Sequence, residues 1–532
     1  MLWRRAVVAA SLGAALALSA CTVPGTPQQS PAVTTPVPAG GVNGRAADQL
    51  AEGGLLRLAI SAAPTQWNPF STAGGTTSAD VLRGPLSGQA FLFDASGTPR
   101  PNPDYLVSAT ASGSPTVVTL RLNPLAVWGD GVAITAADWV ATFKAYRAAQ
   151  ERHTARSLAG WERVAGVRQG ADDHEVVVTF TGDVPDWTEP LVELPARASS
   201  VADAATFDHG WSDYRADWFA GPYVVAHVDQ VQQLWTLEPN PRWWGTTPRL
   251  DRIFVRIVSP DALASTVAAG EFDLYSPGRE DALLALARTA PDSAVRTAPG
   301  TSGRSLTLSL EGPLADRKLR QAIVRGIDRA KLARAALRSA EPNPTLWSNH
   351  LMLPQQAGYL DASTATGLDY DARAAAQALI DAGWPLVGGV RTGASGALTL
   401  TVGVRTGDAR AEAEASSIAA DLTALGITVR TVSSGADLTP VSVAVPRYPL
   451  RGVAGRFASV PGLAELVVGM DSNLDASARL GQATQAARLL WQDARTLPLY
   501  VEPDVVVVRT RLANLGASGY ASTTWADVGF TS

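Results

Sequence analysis

The sequence predicts an α/β protein, on three observations. Short segments alternate apolar and polar residues with period two, amphipathic helical segments lie between them, and at least one helix stops at a glycine and passes straight into a strand. Leu56, Leu58 and Ile60 alternate with Arg57 and Ala59, Val118, Leu120 and Leu122 with Thr119 and Arg121, and Val176, Val178 and Phe180 with Val177 and Thr179. Each is a strand with one buried face. Thr135 and Asp138 form a capping box, after which Trp139, Phe143 and Tyr146 share one helical face. A second helix is expected over residues 316–337, where Leu319, Ile323 and Ile327 make one stripe. A third runs from about Ala411 to Leu425, ends at Gly426 and hands over to a strand, Ile427 to Val432. No internal repeat is evident.

The first twenty residues read as an export signal: Arg4 and Arg5 precede a nearly uninterrupted apolar run over 6–18, followed by small residues. That run is short for a membrane-spanning helix. Leu18-Ser19-Ala20-Cys21 resembles the bacterial lipobox, which implies diacylglyceryl attachment to the Cys21 thiol, cleavage before it and acylation of the new amine. Cys21 is the only cysteine in the chain, so the mature fold has no internal disulfide, no thiolate metal site and no cysteine nucleophile. Residues 22–53 are rich in Pro, Thr, Ser and Gly and poor in large apolar side chains. They are expected to be an extended tether that holds a globular body off the membrane.

The remaining 46% apolar composition is ordinary for a globular protein, and the length suits two or more domains. Removal of residues 1–20 takes away two arginines and no acid, so the formal charge falls from −5 to −7. An acidic body argues against a nucleic-acid partner. Catalytic signatures are missing from the sequence: His153, His174, His209, His227 and His350 are too scattered for a zinc motif, and no G-x-S-x-G elbow, S-x-x-K or Walker loop occurs. Asp172-Asp173 reads as a solvated turn. No enzyme activity, resident metal or cofactor is expected.

Five segments carry a family resemblance. LLRLAISAAPTQWNPF (55–70), AVWGDGVAITAADWVATF (126–143), the block from Gly221-Pro222-Tyr223 through Asn240-Pro241 and Trp243-Trp244-Gly245 to Asp251, PLADRKLRQAIVRGIDRAKL (313–332) and LDYDARAAAQALIDAGWPL (368–386) are similar, in order, to segments of the family 5 extracellular solute-binding proteins, the peptide and nickel receptors of ABC importers. Residues 398–427 and 490–508 also resemble an actinobacterial branch of LpqW-type lipoproteins, associated with control of phosphatidylinositol mannoside and lipoarabinomannan synthesis.

The resemblance implies a two-lobed periplasmic-binding-protein-like fold, type II, with a domain inserted in lobe one. Lobe one is expected over 54–95, 215–300 and 490–532, the inserted domain over 96–214 and lobe two over 301–489, with ligand at the hinge. It implies a monomeric receptor for a small solute, a peptide or an anionic compound, serving ABC permease subunits or, in the LpqW-type case, a membrane enzyme. A nickel or haem receptor is a further alternative. Trp67, Asn68 and Phe70 fall in the family's cleft turn, and Trp347 and Asn349 in a loop that approaches the ligand.

Within 441–458 the chain begins VSVAVPRYPLRGVAGRF, where peptide receptors carry an aspartate that pairs with the ligand's amino terminus. Arg447 and Tyr448 stand there instead, with no acid close in sequence. Arg447 would favour a carboxylate or phosphate, and ordinary free-amine peptides are expected to bind weakly.

Overall fold

The computed structural model describes residues 41–277, 281–338, 340–457 and 459–532. The export signal and Cys21 lie outside them. The expected tether is shorter on its C-terminal side than the sequence indicated. Residues 41–53 are part of the body: Ala517 donates to the Gly41 carbonyl (2.9 Å), Asn43 Nδ2 donates to the Leu512 carbonyl (3.1 Å), and buried Leu50 pairs with Thr531. Local composition cannot reveal these partners, which come from more than 450 residues away.

The scaffold is a ten-stranded mixed sheet in the order 428–432, 399–403, 438–444, 293–308, 496–509, 274–275, 55–60, 252–257, 234–239, 223–229. Two apolar cores sit on opposite ends of it. One gathers Leu56, Leu58 and Ile60 with Ile253 and Val255, and continues without a break into Val118, Leu120, Val176 and Val178 of a separate four-stranded antiparallel sheet. The helix Ala136–Glu151 covers that smaller sheet through Trp139, Phe143 and Tyr146, with the expected capping box in place: Asp138 Oδ2 accepts from the Thr135 amide at 3.0 Å. The other core gathers Leu306, Leu308, Ile323, Leu400, Ile418 and Trp491.

The two cores are joined by the long antiparallel strands Ser293–Leu308 and Thr496–Arg509. Their first and last residues pair near the strand Leu274–Tyr275, and their other ends pair beside Leu438–Ala444. Between Pro299 and Ser302 the register slips, with Pro299 opposite Pro503. Proline has no amide to give a ladder, so pairing is weakest at this crossing.

The helix expected over 316–337 is two helices, Arg317–Gly326 and Arg329–Leu337. Asp328 breaks it: its backbone is extended and its side chain accepts from the Lys331 amide, capping the second helix. The helix Ala409–Ala424 ends as the sequence predicts, with Gly426 at φ +87° leading into Thr428–Val432.

The second core also holds a buried ion pair. Arg304 Nε and Nη2 donate to the two oxygens of Glu414 at 2.9 and 2.6 Å, and the Tyr500 hydroxyl bonds the same carboxylate. Glu414 is fully buried, so Glu414→Ala is expected to leave an uncompensated guanidinium and cost about 3–5 kcal/mol in a urea titration.

His350 is buried against Trp491, and its Nε2 lies 3.1 Å from the Thr496 carbonyl. A carbonyl only accepts, so Nε2 carries the proton. Burial, with Arg329 nearby, drops the ring's pKa to about 4. The unfolded ring titrates near 6.5, so the stability held by the neutral ring is complete above that value and drains away as pH falls toward 4. Relative to His350→Gln, the native chain is expected to lose about 3 kcal/mol between pH 7 and 4, measured by urea midpoints.

Candidate functional site

A cavity of about 480 Å³ opens between the helix Thr77–Leu86, the segment 193–196, residues 218–222 and the closing segment 521–526, with Arg447 reaching in from the other half. Its walls include Trp218, Trp243 and Trp525, and three carboxylates face it, Asp80, Asp104 and Glu193. Such a volume, with tryptophan rings and charged side chains together on its walls, lies in the range of small-molecule sites.

The charges divide into spent and available. Asp80 pairs with Arg83 one turn along their helix, and Arg83 also donates to the Gly74 carbonyl at 2.8 Å. Among the described residues, Glu193 receives only a long bond from Gln89 Nε2, 3.3 Å. It is exposed to the cavity, yet protein surrounds the opening, and this loss of water pushes its carboxyl above the usual range, with Gln89, Arg83 and Arg447 pulling it back. Arg447 stacks its guanidinium 4.4 Å from the Phe93 ring centre and donates Nε to the Tyr520 carbonyl at 3.2 Å. Desolvation lowers its pKa and Glu193 partly restores it. The two groups therefore sense each other across the opening without forming an ion pair.

The sequence beside Arg447 holds no acid, and the fold brings one to the same cavity: Glu193, from more than 250 positions earlier in the chain.

The other expected site residues are placed differently. Trp67 is buried among Tyr214, Phe219 and Trp235. The Asn68 side chain is consumed internally, donating to the Phe207 carbonyl and accepting from the Phe70 amide, both at 2.9 Å. Phe70 packs between Tyr146 and Trp161. Of that turn, Pro69 lines the main cavity. Trp347 is buried and donates to the Met352 carbonyl at 2.8 Å; its ring lies so close to Gly303 that a Cβ there would stand 2.3 Å from it. Asn349 Oδ1 accepts from the Leu351 and Met352 amides. All five side chains are buried, and none of them lines the main cavity. Tyr448 borders a second cavity, about 680 Å³, and its hydroxyl lies 2.8 Å from that of Thr188.

Around that second cavity the segments 162–189 and 447–480 are laced by charge. Arg479 forks onto Asp186, Arg163 donates to the Asp471 carbonyl at 2.8 Å, and Arg451 reaches both Glu162 and Glu189. Arg451 Nη1 is 2.7 Å from Glu189 Oε2 but out of line for a hydrogen bond, which leaves that oxygen unsatisfied. Burial, with Asp186 and Asp471 adding repulsion, raises Glu189 to about 8.

Residues 100–439 match the bacterial extracellular solute-binding proteins, family 5 Middle. The chain belongs to this family. It is 30% identical to the oligopeptide-binding proteins OppA of Mycobacterium bovis and Mycobacterium tuberculosis, over 90% of this chain and 85% of theirs. In fold it is similar to the periplasmic EDTA-binding protein EppA (TM-score 0.75, 22% identity, 93% of this chain and 98% of that one). It is also similar to lactococcal OppA complexed with an endogenous peptide in the closed conformation (TM-score 0.65, 18% identity, 90% and 100%). Family membership makes the chain a relative of exported binding proteins and not of enzymes, and its fold two-lobed, as the sequence predicted. Among the described residues no helix is long and apolar enough to cross a membrane, and no cluster of His, Cys, Asp and Glu could hold a metal ion.

The Arg479–Asp186 contact ties the halves together away from the main cavity. Arg479→Leu is expected to speed amide exchange over 183–189 by about tenfold, read by hydrogen-exchange mass spectrometry, while exchange in the Arg304–Glu414 core stays unchanged.

Proposed function

We propose that this chain is the ligand-binding subunit of an ABC importer for peptides, held at the outer face of the cytoplasmic membrane by acylated Cys21. The observation that carries the reading is the main cavity, where an unpaired carboxylate, Glu193, and a guanidinium with donors to spare, Arg447, face one space from different halves. A peptide's terminal ammonium meets Glu193, and its first carbonyl accepts from Arg447. Tryptophan walls take side chains with little sequence preference, while main-chain bonds give affinity.

The strands that cross near Pro299–Ser302 and Pro503 act as the hinge in this reading. Lobe one takes 54–95, 215–300 and 490–532, the inserted domain 96–214, and lobe two 301–489. Ligand contact with both halves favours the closed form by differential affinity, and the closed monomer is what the permease recognises. The likeness to mycobacterial OppA supports a peptide ligand. An LpqW-type regulator of envelope glycolipid synthesis would have no need of a cleft with unpaired charges, and the open cavity favours the receptor.

Calorimetry with tri- to pentapeptides is expected to give micromolar or tighter binding, weakened at least tenfold by amino-terminal acetylation or by Glu193→Gln. Absence of binding to every such peptide, with no ligand seen in native mass spectra of protein from its own host, would sink the importer reading. Cys21→Ser is expected to release the protein from the membrane fraction into the medium; unchanged membrane association would rule out the lipid anchor.

A further inference from the structure

The main cavity has a second carboxylate that is without a partner among the described residues. Asp104 is half-buried, and among the described residues neither a hydrogen bond nor an ion pair reaches its side-chain oxygens. Its backbone is firmly held instead: the carbonyl accepts from Trp244 Nε1 at 2.6 Å and from Asn123 Nδ2 at 3.0 Å. Burial pushes its carboxyl up, and Asp527 behind the closing segment pushes it further. Asp527 is itself raised by burial, with Arg249 pulling the other way. A carboxylate left in this condition is relieved by a cation supplied from outside.

Aromatic faces stand beside it. A Cβ at Gly245 would lie 2.7 Å from both Asp104 Oδ1 and the Trp243 ring, so glycine there lets the carboxylate and the indole edge pack beside one another. Trp525 reaches the cavity from the closing segment because Gly84 lets its indole lie on the helix Thr77–Leu86, where a Cβ would be 2.7 Å from the ring nitrogen. Both indoles are half-buried with surface toward the opening. A carboxylate with tryptophan rings suits a flexible cation whose stem is apolar, since the ring quadrupole and the negative charge act on the same group.

We propose that Asp104, with Trp243 and Trp525, forms a subsite for a cationic side chain of the lysine or arginine type on the ligand held in the main cavity. This rests on the peptide reading above and adds to it a preference for basic ligands.

The test compares alanine pentapeptides carrying lysine, norleucine or glutamate at each position in turn, by calorimetry on the full chain and on Asp104→Asn. At one position lysine is expected to bind at least tenfold tighter than norleucine. Asp104→Asn should abolish that gap while leaving the norleucine affinity unchanged. Equal affinity for lysine and norleucine in the native chain, or a gap that survives Asp104→Asn, overturns the subsite and leaves the peptide reading standing. If no peptide binds, the peptide reading fails, and agmatine decides the subsite by itself through tryptophan emission. Saturable quenching lost in Asp104→Asn keeps the subsite, and no quenching overturns it.

Discussion

Everything in this molecule hangs on one pair of antiparallel strands that belongs to both halves. Ser293–Leu308 and Thr496–Arg509 carry the backbone ladder from one apolar core to the other. Each core closes on its own set of side chains, so the ladder can bend at the crossing without unpacking either. The place of least resistance is built in, because Pro299 and Pro503 face each other where the register slips, and Gly300 admits the Glu502 carbonyl where a side chain would collide. A stiff crossing would fix the cavity open or shut. In the proposed closing motion, a crossing held by few ladder bonds gives way more easily than the cores on either side.

The contact energies at the cavity come from groups that the fold brings together late. Neither Glu193 nor Arg447 has a full partner, and Arg447 is desolvated against Phe93. Other charges of the fold are already neutralised, Arg83 with Asp80 beside the cavity and, farther off, Arg304 with Glu414 and Arg479 with Asp186. Glu193 and Arg447 face the opening, where an incoming solute can satisfy them. The arginine-rich lacing around 162–189 and 447–480 serves a different end. It aligns the halves, and burial there raises Glu189, with Asp186 and Asp471 adding repulsion.

Local pattern made the elements legible. The period-two strands, the Thr135–Asp138 capping box and the Gly426 stop all follow from neighbours within a few residues. The break at Asp328 was not legible as a break, because the stripe Leu319–Ile323–Ile327 continues to the point where a cap competes with it. The cavity was legible mainly through Arg447. Motif position singled out Trp67, Asn68 and Trp347, yet their side chains are spent on packing and on internal hydrogen bonds. Glu193, Asp104 and Trp525 lie in segments without periodicity, and only tertiary folding gives them a common space. No spacing rule connects positions hundreds of residues apart.

The central claim is that the halves move on the crossing strands and that ligand draws them together. Spin labels on cysteines placed at exposed Val107 and Leu474, with Cys21 replaced by serine, report the distance across the two halves. Pulsed electron resonance is predicted to give a broad distance distribution without ligand and a shorter, narrow one with a saturating lysine-containing pentapeptide. One unchanging distribution, with peptide demonstrably bound, would contradict the account.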